Sequence, residues 1–335
     1  MVPRIRLSLV TLLAGSVFAA PAPTPVPAPA VSPAAAPAPD TDVFIADLYL
    51  EVGKVAPPTN ISDRDGYDNQ PAFTLDGSAV LYVADGEGGQ TDVWRYDIAS
   101  AARVQVTATP EAEFSPTPLP TGGFSAIRVG APQGEGEAYT ESQQLYRYGM
   151  DGIAQGPVVA SLTRVGYHAW IEPTRFAAFL VGGGESKLPH RLVLVDSANG
   201  VVTPLALDIG RSLGRAPDGR VTFVDKSNPK AWTVASLAPG EARPRALIAT
   251  PPGPPDEEDR ARSEDFCWLP DGSLLMAKGK WLLRWDGKPG SGWTALAELK
   301  DLPGDIKRLA VSRDGRRLAL VVEIKEPKRL RGIRG

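Results

Sequence analysis

The chain has 335 residues and a formal net charge of -3, with 34 Gly, 33 Pro, one Cys and two His. Mild acidity argues against a general nucleic-acid binder, which needs a basic face, and two histidines cannot build a multi-histidine zinc site. A single cysteine rules out an intrachain disulfide, so stability has to come from buried area.

The first element is a targeting segment. Arg4 and Arg6 precede an apolar run over residues 7–18 that is too short to span a bilayer. Residues 1–19 read as a signal peptide cut after Ala19, and no cysteine near the cut offers a lipid anchor. The expected location is periplasmic or secreted, with no stable membrane insertion after cleavage. Residues 20–40 alternate Ala and Pro; proline fixes φ and removes the amide donor, so this linker joins neither helix nor sheet. Extended as polyproline it reaches about 60 Å at roughly 3.1 Å per residue.

From residue 41 to 324 the chain is a series of short strands around tight turns. Four segments align on an Asp-Gly pair: "QPAFTLDGSAVLYVA", "SLGRAPDGRVTFVD", "DFCWLPDGSLLMAK" and "RLAVSRDGRRLALVV". Two degenerate copies, "SPTPLPTGGFSAIRV" and "HAWIEPTRFAAFLVG", fit between them. Each reads as strand, turn, strand. A third strand follows most copies ("TDVWRYD", "QQLYRYGMD", "HRLVLVD", "KWLLRWD"), then a fourth ("RVQVTAT", "GPVVASL", "VVTPLAL", "RPRALIA"). Four antiparallel strands repeating every 43 to 53 residues, roughly, are propeller blades. The last copy lacks its outer half, while residues 41–62 resemble a third and fourth strand with nothing before them. The prediction is an all-β, six-bladed propeller whose last blade takes two strands from each terminus, which removes exposed sheet edges. Residues 325–335 form a basic tail.

"YDNQPAFTLDGSAVLYVADGEGGQTDVWRYDI", with "PEAEFSP", "GYHAW", "IGRSLGRAPDGR", "SEDFCWLPDGSLLM" and "RLAVSRDGRRLAL", resembles the repeat of TolB-like six-bladed propellers, including exported members. The resemblance covers about residues 41–324 and implies fold more than activity, because such propellers include partner-binding scaffolds and enzymes. Pro120-Thr121-Gly122 and Pro173-Thr174-Arg175 depart from the usual Pro-Asp-Gly, which questions the turns of blades two and three.

Two patterns nominate functional residues. The loops that lead into inner strands and those joining second to third strands share one face of a propeller. Here they are acidic: Asp63, Asp65, Asp68, Asp85, Glu87, Glu111, Glu113, Glu135, Glu137, Glu185, residues 256–259, Glu264 and Asp265. Such a face favours a cation or a basic partner. Second, Gln70, Ser115, His168, Ser212, Asp265 and Arg308 each lie six residues before the turn, where an inner strand begins at the channel mouth. Asp68, Asn69, Glu113, Tyr167, Arg211 and Glu264 stand beside them. The leading expectation is a monomeric scaffold binding a protein or peptide in the cell envelope, with no resident cofactor. The alternative is a metal-assisted hydrolase or lactonase with calcium held by Asp265 and the nearby Asp68, Asn69, Glu113 and Glu264.

Other motifs fail on context. "GRSLG" spells a nucleophile elbow, but a Pro-Asp-Gly turn follows where a helix is required. "DRDGYDN" lacks the Glu and the helices of an EF-hand. Cys267, between Phe266 and Trp268, reads as a small core residue.

Overall fold

The computed structural model describes residues 39–86, 89–130, 141–183, 188–241, 243–251 and 264–324. The segments expected to be a signal peptide, a linker (up to residue 38) and a basic tail, with Glu87, Glu135, Glu137, Glu185 and residues 256–259, lie outside the described residues. Among the described residues no helix is long and apolar enough to cross a membrane.

The strands begin with β1 (Thr41–Tyr49), β2 (Lys54–Val55) and β3 (Thr59–Asn60). The first complete blade is β4 (Asp68–Phe73), β5 (Ala79–Asp85), β6 (Thr91–Asp97) and β7 (Arg103–Gln105). The second is β8 (Ala112–Pro118), β9 (Phe124–Val129), β10 (Gln143–Tyr148) and β11 (Ala154–Pro157). The third is β12 (Val165–Glu172), β13 (Arg175–Leu180), β14 (Arg191–Asp196) and β15 (Val202–Leu207). The fourth is β16 (Ile209–Arg215), β17 (Val221–Asp225), β18 (Thr233–Leu237) and β19 (Arg245–Ala249). The fifth is β20 (Phe266–Trp268), β21 (Leu274–Lys278), β22 (Trp281–Trp285) and β23 (Thr294–Glu298), after which come β24 (Ile306–Val311) and β25 (Arg317–Glu323).

Each of the five blades is a four-stranded antiparallel meander, and the sixth runs β24-β25-β1-β2. The expected closure is therefore present: β1 pairs with β25 over seven residues, from Thr41 opposite Glu323 to Asp47 opposite Arg317. The outer strand of this blade is split, because β2 and β3 both pair with β1. Thr41 also ties the sixth blade to the first, with its hydroxyl 2.9 Å from the Asp68 carbonyl and its N–H 3.0 Å from the Gly66 carbonyl.

Burial grades from the axis outward. Second strands such as β5 and β25 are apolar and buried almost without interruption, because a blade is covered on both faces by its neighbours. Fourth strands such as β7 and β11 are largely exposed. The core is correspondingly six slabs, one per seam. Phe73 and Tyr82 meet Val43 and Ala319, and Leu81 and Val93 meet Phe124 and Tyr148. Ile127 meets Phe176, Phe179 meets Phe223, Val224 meets Leu274, and Leu275 meets Leu318.

The turn glycines explain the repeat. Gly77, Gly219, Gly272 and Gly315 have φ of 69°, 88°, 82° and 72°, where a side chain is strained, and Asp76 accepts the Ser78 N–H at 3.1 Å. The two departures keep their hairpins by different means. In blade two Gly122 (φ 92°) closes onto the Leu119 carbonyl at 3.0 Å. In blade three Glu172 pairs directly with Arg175, leaving a two-residue turn at Pro173-Thr174.

Candidate functional site at the channel mouth

Antiparallel pairing places the start of each inner strand at the same end as the junction of second and third strands; Asp68 pairs with Ala84, and Ala84 with Asp92. At that end the ladders of β4, β8, β12, β16 and β24 are each interrupted by a bulge. A bulge turns a strand and re-aims its side chains. In blades one and two it coincides with Gln70-Pro71 and Ser115-Pro116, where Gln70 and Ser115 take left-handed φ of 55° and 53°. Left-handed non-glycine residues cost about 1–3 kcal/mol each, so the packing of the ring holds them there.

The six ring residues, Gln70, Ser115, His168, Ser212, Asp265 and Arg308, line one cavity of about 170 Å³ at the axis, one from each blade. Tyr167 and Arg211 line it too. Asp265 is gripped from two sides. Arg211 reaches its Oδ2 through Nη2 at 2.6 Å and Nε at 3.2 Å, and Arg308 reaches Oδ1 through Nη1 at 3.4 Å. Arg308 also donates to the Tyr167 hydroxyl at 3.1 Å and lies over that ring, 5.2 Å from its centre. Burial works against the charge on both arginines, but Asp265 above all outweighs it and raises their pKa values.

The opposite wall is uncharged. His168 is 8% exposed and its Nε2 lies 2.8 Å from the Ser125 hydroxyl on β9, which also accepts the Trp170 indole N–H at 2.9 Å. Burial pushes the His168 imidazole down to about 3, so it is neutral at ordinary pH. Trp268 repeats this inter-blade rivet by donating to the Thr222 hydroxyl at 3.0 Å. At 8% and 7% exposure, His168 and Asp265 form the wall of the mouth and not its rim.

Four nominated residues do not line the cavity. Asp68 is fully buried, bonded to Arg64 at 2.8 Å, and burial raises its pKa to about 6. Asn69 is buried and accepts the Gln70 N–H at 2.8 Å. Glu113, fully buried in the seam between blades one and two, accepts the Thr107 hydroxyl at 3.1 Å and the Tyr148 hydroxyl at 3.3 Å, with Asp92 beside it. Burial raises both carboxyls, Glu113 to about 7. Glu264 stands behind Arg211, paired with Lys226 at 2.7 Å and Arg211 at 3.4 Å.

The acidic loops look different once their cations are placed. Arg64 takes Asp68 and Asp85, Arg128 takes Glu111, and Arg211, Arg308 and Lys226 take Glu264 and Asp265. Acidity read from the carboxylates alone missed these partners: Arg64 stands within the first acidic loop, while Arg128, Lys226 and Arg308 sit elsewhere in the chain. Tyr67 was also missed: it lies within electrostatic range of Arg308, Tyr167, Arg211 and Asp265, and burial raises its hydroxyl to about 12. A Gly-Tyr pair does recur near the start of the inner strand in blades one and three, at 66–67 and 166–167, but two residues out of register, so counting back from the turn does not find Tyr67. Among the described residues, no three His, Cys, Asp or Glu side chains converge to hold a metal ion. Cys267 is a free thiol whose pKa burial raises, as a core residue requires.

No protein-family model matches the chain, and no curated relative matches it by sequence. Solved structures do. A TolB protein from Agrobacterium tumefaciens is 13% identical, with 85% of this chain and 99% of that one aligned at a TM-score of 0.63. TolB from Acinetobacter baumannii is 15% identical over 86% of this chain at a TM-score of 0.50; the match spans 65% of its length. A gluconolactonase from Xanthomonas campestris is 12% identical over 87% of this chain and 99% of its own, at a TM-score of 0.56. With six four-stranded blades, closure by both termini and these neighbours, the chain has the TolB-like six-bladed β-propeller fold.

Proposed function

We propose that this is an exported scaffold that binds a peptide or a protein segment at the channel mouth. The observation that carries the reading is convergence: one residue from each of six separate blades lines a single polar cavity, and bulges in five inner strands turn the backbone there. Strained, polar, concave surface of this kind is a binding feature, not a packing one. The acidic loops contribute less than their count suggests, because arginines and Lys226 neutralise most of the described carboxylates. The test is selection from a displayed random-peptide library on the folded protein, beside a Ser212→Trp variant whose indole fills the mouth. Enrichment of a shared motif on the parent, lost on the variant, supports the reading; equal enrichment on both moves the contact elsewhere.

The enzymatic alternative draws support from the lactonase neighbour only at the level of fold. The carboxylates it would use are dispersed, and Asp265 is held by two arginines. Calorimetry with calcium decides it: saturable heat with a rise in melting temperature favours the metal enzyme.

A further inference from the structure

The hydrogen-bonding capacity left at the channel mouth is one-sided. Gln70 commits its carbonyl Oε1 to the Ser115 N–H at 2.6 Å, so the end it can offer is the NH₂ group. Ser212 accepts the Phe266 N–H at 3.2 Å and keeps its own O–H to give. The Tyr167 oxygen accepts from Arg308 and likewise keeps its hydrogen. Arg308 makes two bonds, to Asp265 and Tyr167, out of five N–H groups. The one carboxylate in the wall, Asp265, already has both oxygens taken by Arg211 and Arg308. Apart from the Ser115 hydroxyl and His168 Nδ1, both buried without a partner among the described residues, what remains is a set of donors, facing a cavity whose lining holds two arginines and one aspartate. The Glu264–Lys226 pair behind the wall balances itself and leaves that excess of positive charge in place.

Size narrows the ligand further. At about 170 Å³ the cavity is smaller than the roughly 300–1,000 Å³ of a pocket that swallows a whole small molecule. It has room for one end of something larger.

We propose that the group entering the channel is a carboxylate, carried as the C-terminus or as an Asp or Glu side chain of the bound peptide. It would complete the Arg308 fork, with Gln70, Ser212 and Tyr167 supplying further donors. Charge-assisted, forked pairing favours carboxylate over neutral acceptors, and the single excess charge suits a monoanion. This inference rests on the channel mouth being the binding surface, and it reverses the sign expected from the acidic loops.

The experiment is an NMR titration of the folded chain with four probes: N-acetylglycine, N-acetyl-aspartic acid N-methylamide, neutral N-acetylglycinamide and cationic glycinamide. The expected result is saturable binding of the two acids, at least about tenfold tighter than of either other probe. The stronger of the two acids tells a terminal from a side-chain carboxylate. Arg308→Gln should erase the preference for acid over amide, whereas Arg308→Lys, which keeps the charge but not the fork, should retain part of it. Melting curves of both variants confirm folding, and the comparison of probes on the parent needs no variant. Equal binding of acid and amide, preference for glycinamide, or an acid preference untouched in Arg308→Gln each overturns the proposal. Peptides enriched at the mouth without dependence on a carboxylate would sink this inference alone. Acid preference with no peptide enrichment would instead sink the scaffold reading.

Discussion

Arg211, Asp265 and Arg308 at the channel mouth, and Asp92 and Glu113 in the seam between the first two blades, are ionisable clusters largely withdrawn from water. At the mouth, opposite charges meet at 2.6 and 3.4 Å, and the arginine pKa values rise, so both guanidinium groups stay charged. In the seam two carboxyls meet with the hydroxyls of Thr107 and Tyr148 around them, and burial raises both pKa values. The same cost of desolvation is met by counter-ions in one place and by a retained proton in the other. Only the first solution leaves charge that a ligand can feel. A buried carboxyl therefore says little about function until its partners are known.

The difference gives matched substitutions opposite weights. Asp265→Asn keeps the shape but leaves Arg308 without its carboxylate and Arg211 with Glu264 alone, and breaking a largely buried ion pair from one side costs about 3 kcal/mol or more. For a chain of this size that is a fall of roughly 6 °C or more in melting temperature. A carboxylate probe such as N-acetylglycine should restore part of the loss by replacing the missing anion. Adding Arg308→Gln to Asp265→Asn should also recover stability, because the second change removes one stranded cation. Additive losses in the double variant would show that the three residues do not act as one network.

Glu113→Gln is the same chemical change in the seam and should cost much less, about 1 kcal/mol at pH 5, where Glu113 with its pKa of about 7 keeps its proton and glutamine resembles it. Thermal melts of the two single variants side by side make the comparison direct. Equal losses would mean that Glu113 is ionised in the fold and that the contrast between the clusters is false.

The fold was legible because it rests on local, repeated signals. Asp-Gly turns with a left-handed glycine recur in four blades, and the unpaired strands at residues 41–62 have a matching gap at the other end. The ring was legible for the same reason: counting back six residues from each turn lands on the cavity lining in all six blades, even where the turn is Thr-Gly or Thr-Arg. Pairing across blades was not legible. Nothing in the spacing says that Arg308 grips Asp265, that Ser125 holds both His168 and Trp170, or that Arg64 and Arg128 neutralise the loops. The first three of these pairs are 43 or 45 residues apart and join different blades, so the propeller fold brings them together, whereas Arg64 and Arg128 stand 4 and 17 residues from Asp68 and Glu111. Hence the positions of the ring were readable and its pairing was not.

The smallest effect, and the sharpest discriminator, is the pH dependence of stability. Burial gives Glu113 a folded pKa of about 7 against an ordinary 4.5, so the stability it contributes is complete below pH 4.5 and is lost as pH rises through 7. Asp68, raised to about 6 from 3.8, acts in the same direction. His168 acts in the opposite one: its folded pKa of about 3 lies below the ordinary 6.5, so the folded state gains on the unfolded state as pH rises between those values. Glu113→Gln removes a contribution that declines with pH. Its melting temperature should therefore gain on that of the parent as pH rises from 4.5 to 7. His168→Gln removes a contribution that grows, so its melting temperature should lose ground against the parent up to pH 6.5. The two difference curves must cross the shared window, pH 4.5 to 6.5, with opposite slopes. Melts across that window at constant ionic strength measure both. A flat curve for Glu113→Gln would place an ionised carboxylate in the seam, and a flat curve for His168→Gln would place a charged imidazole in the channel wall, adding to the positive charge that Arg211 and Arg308 already present there.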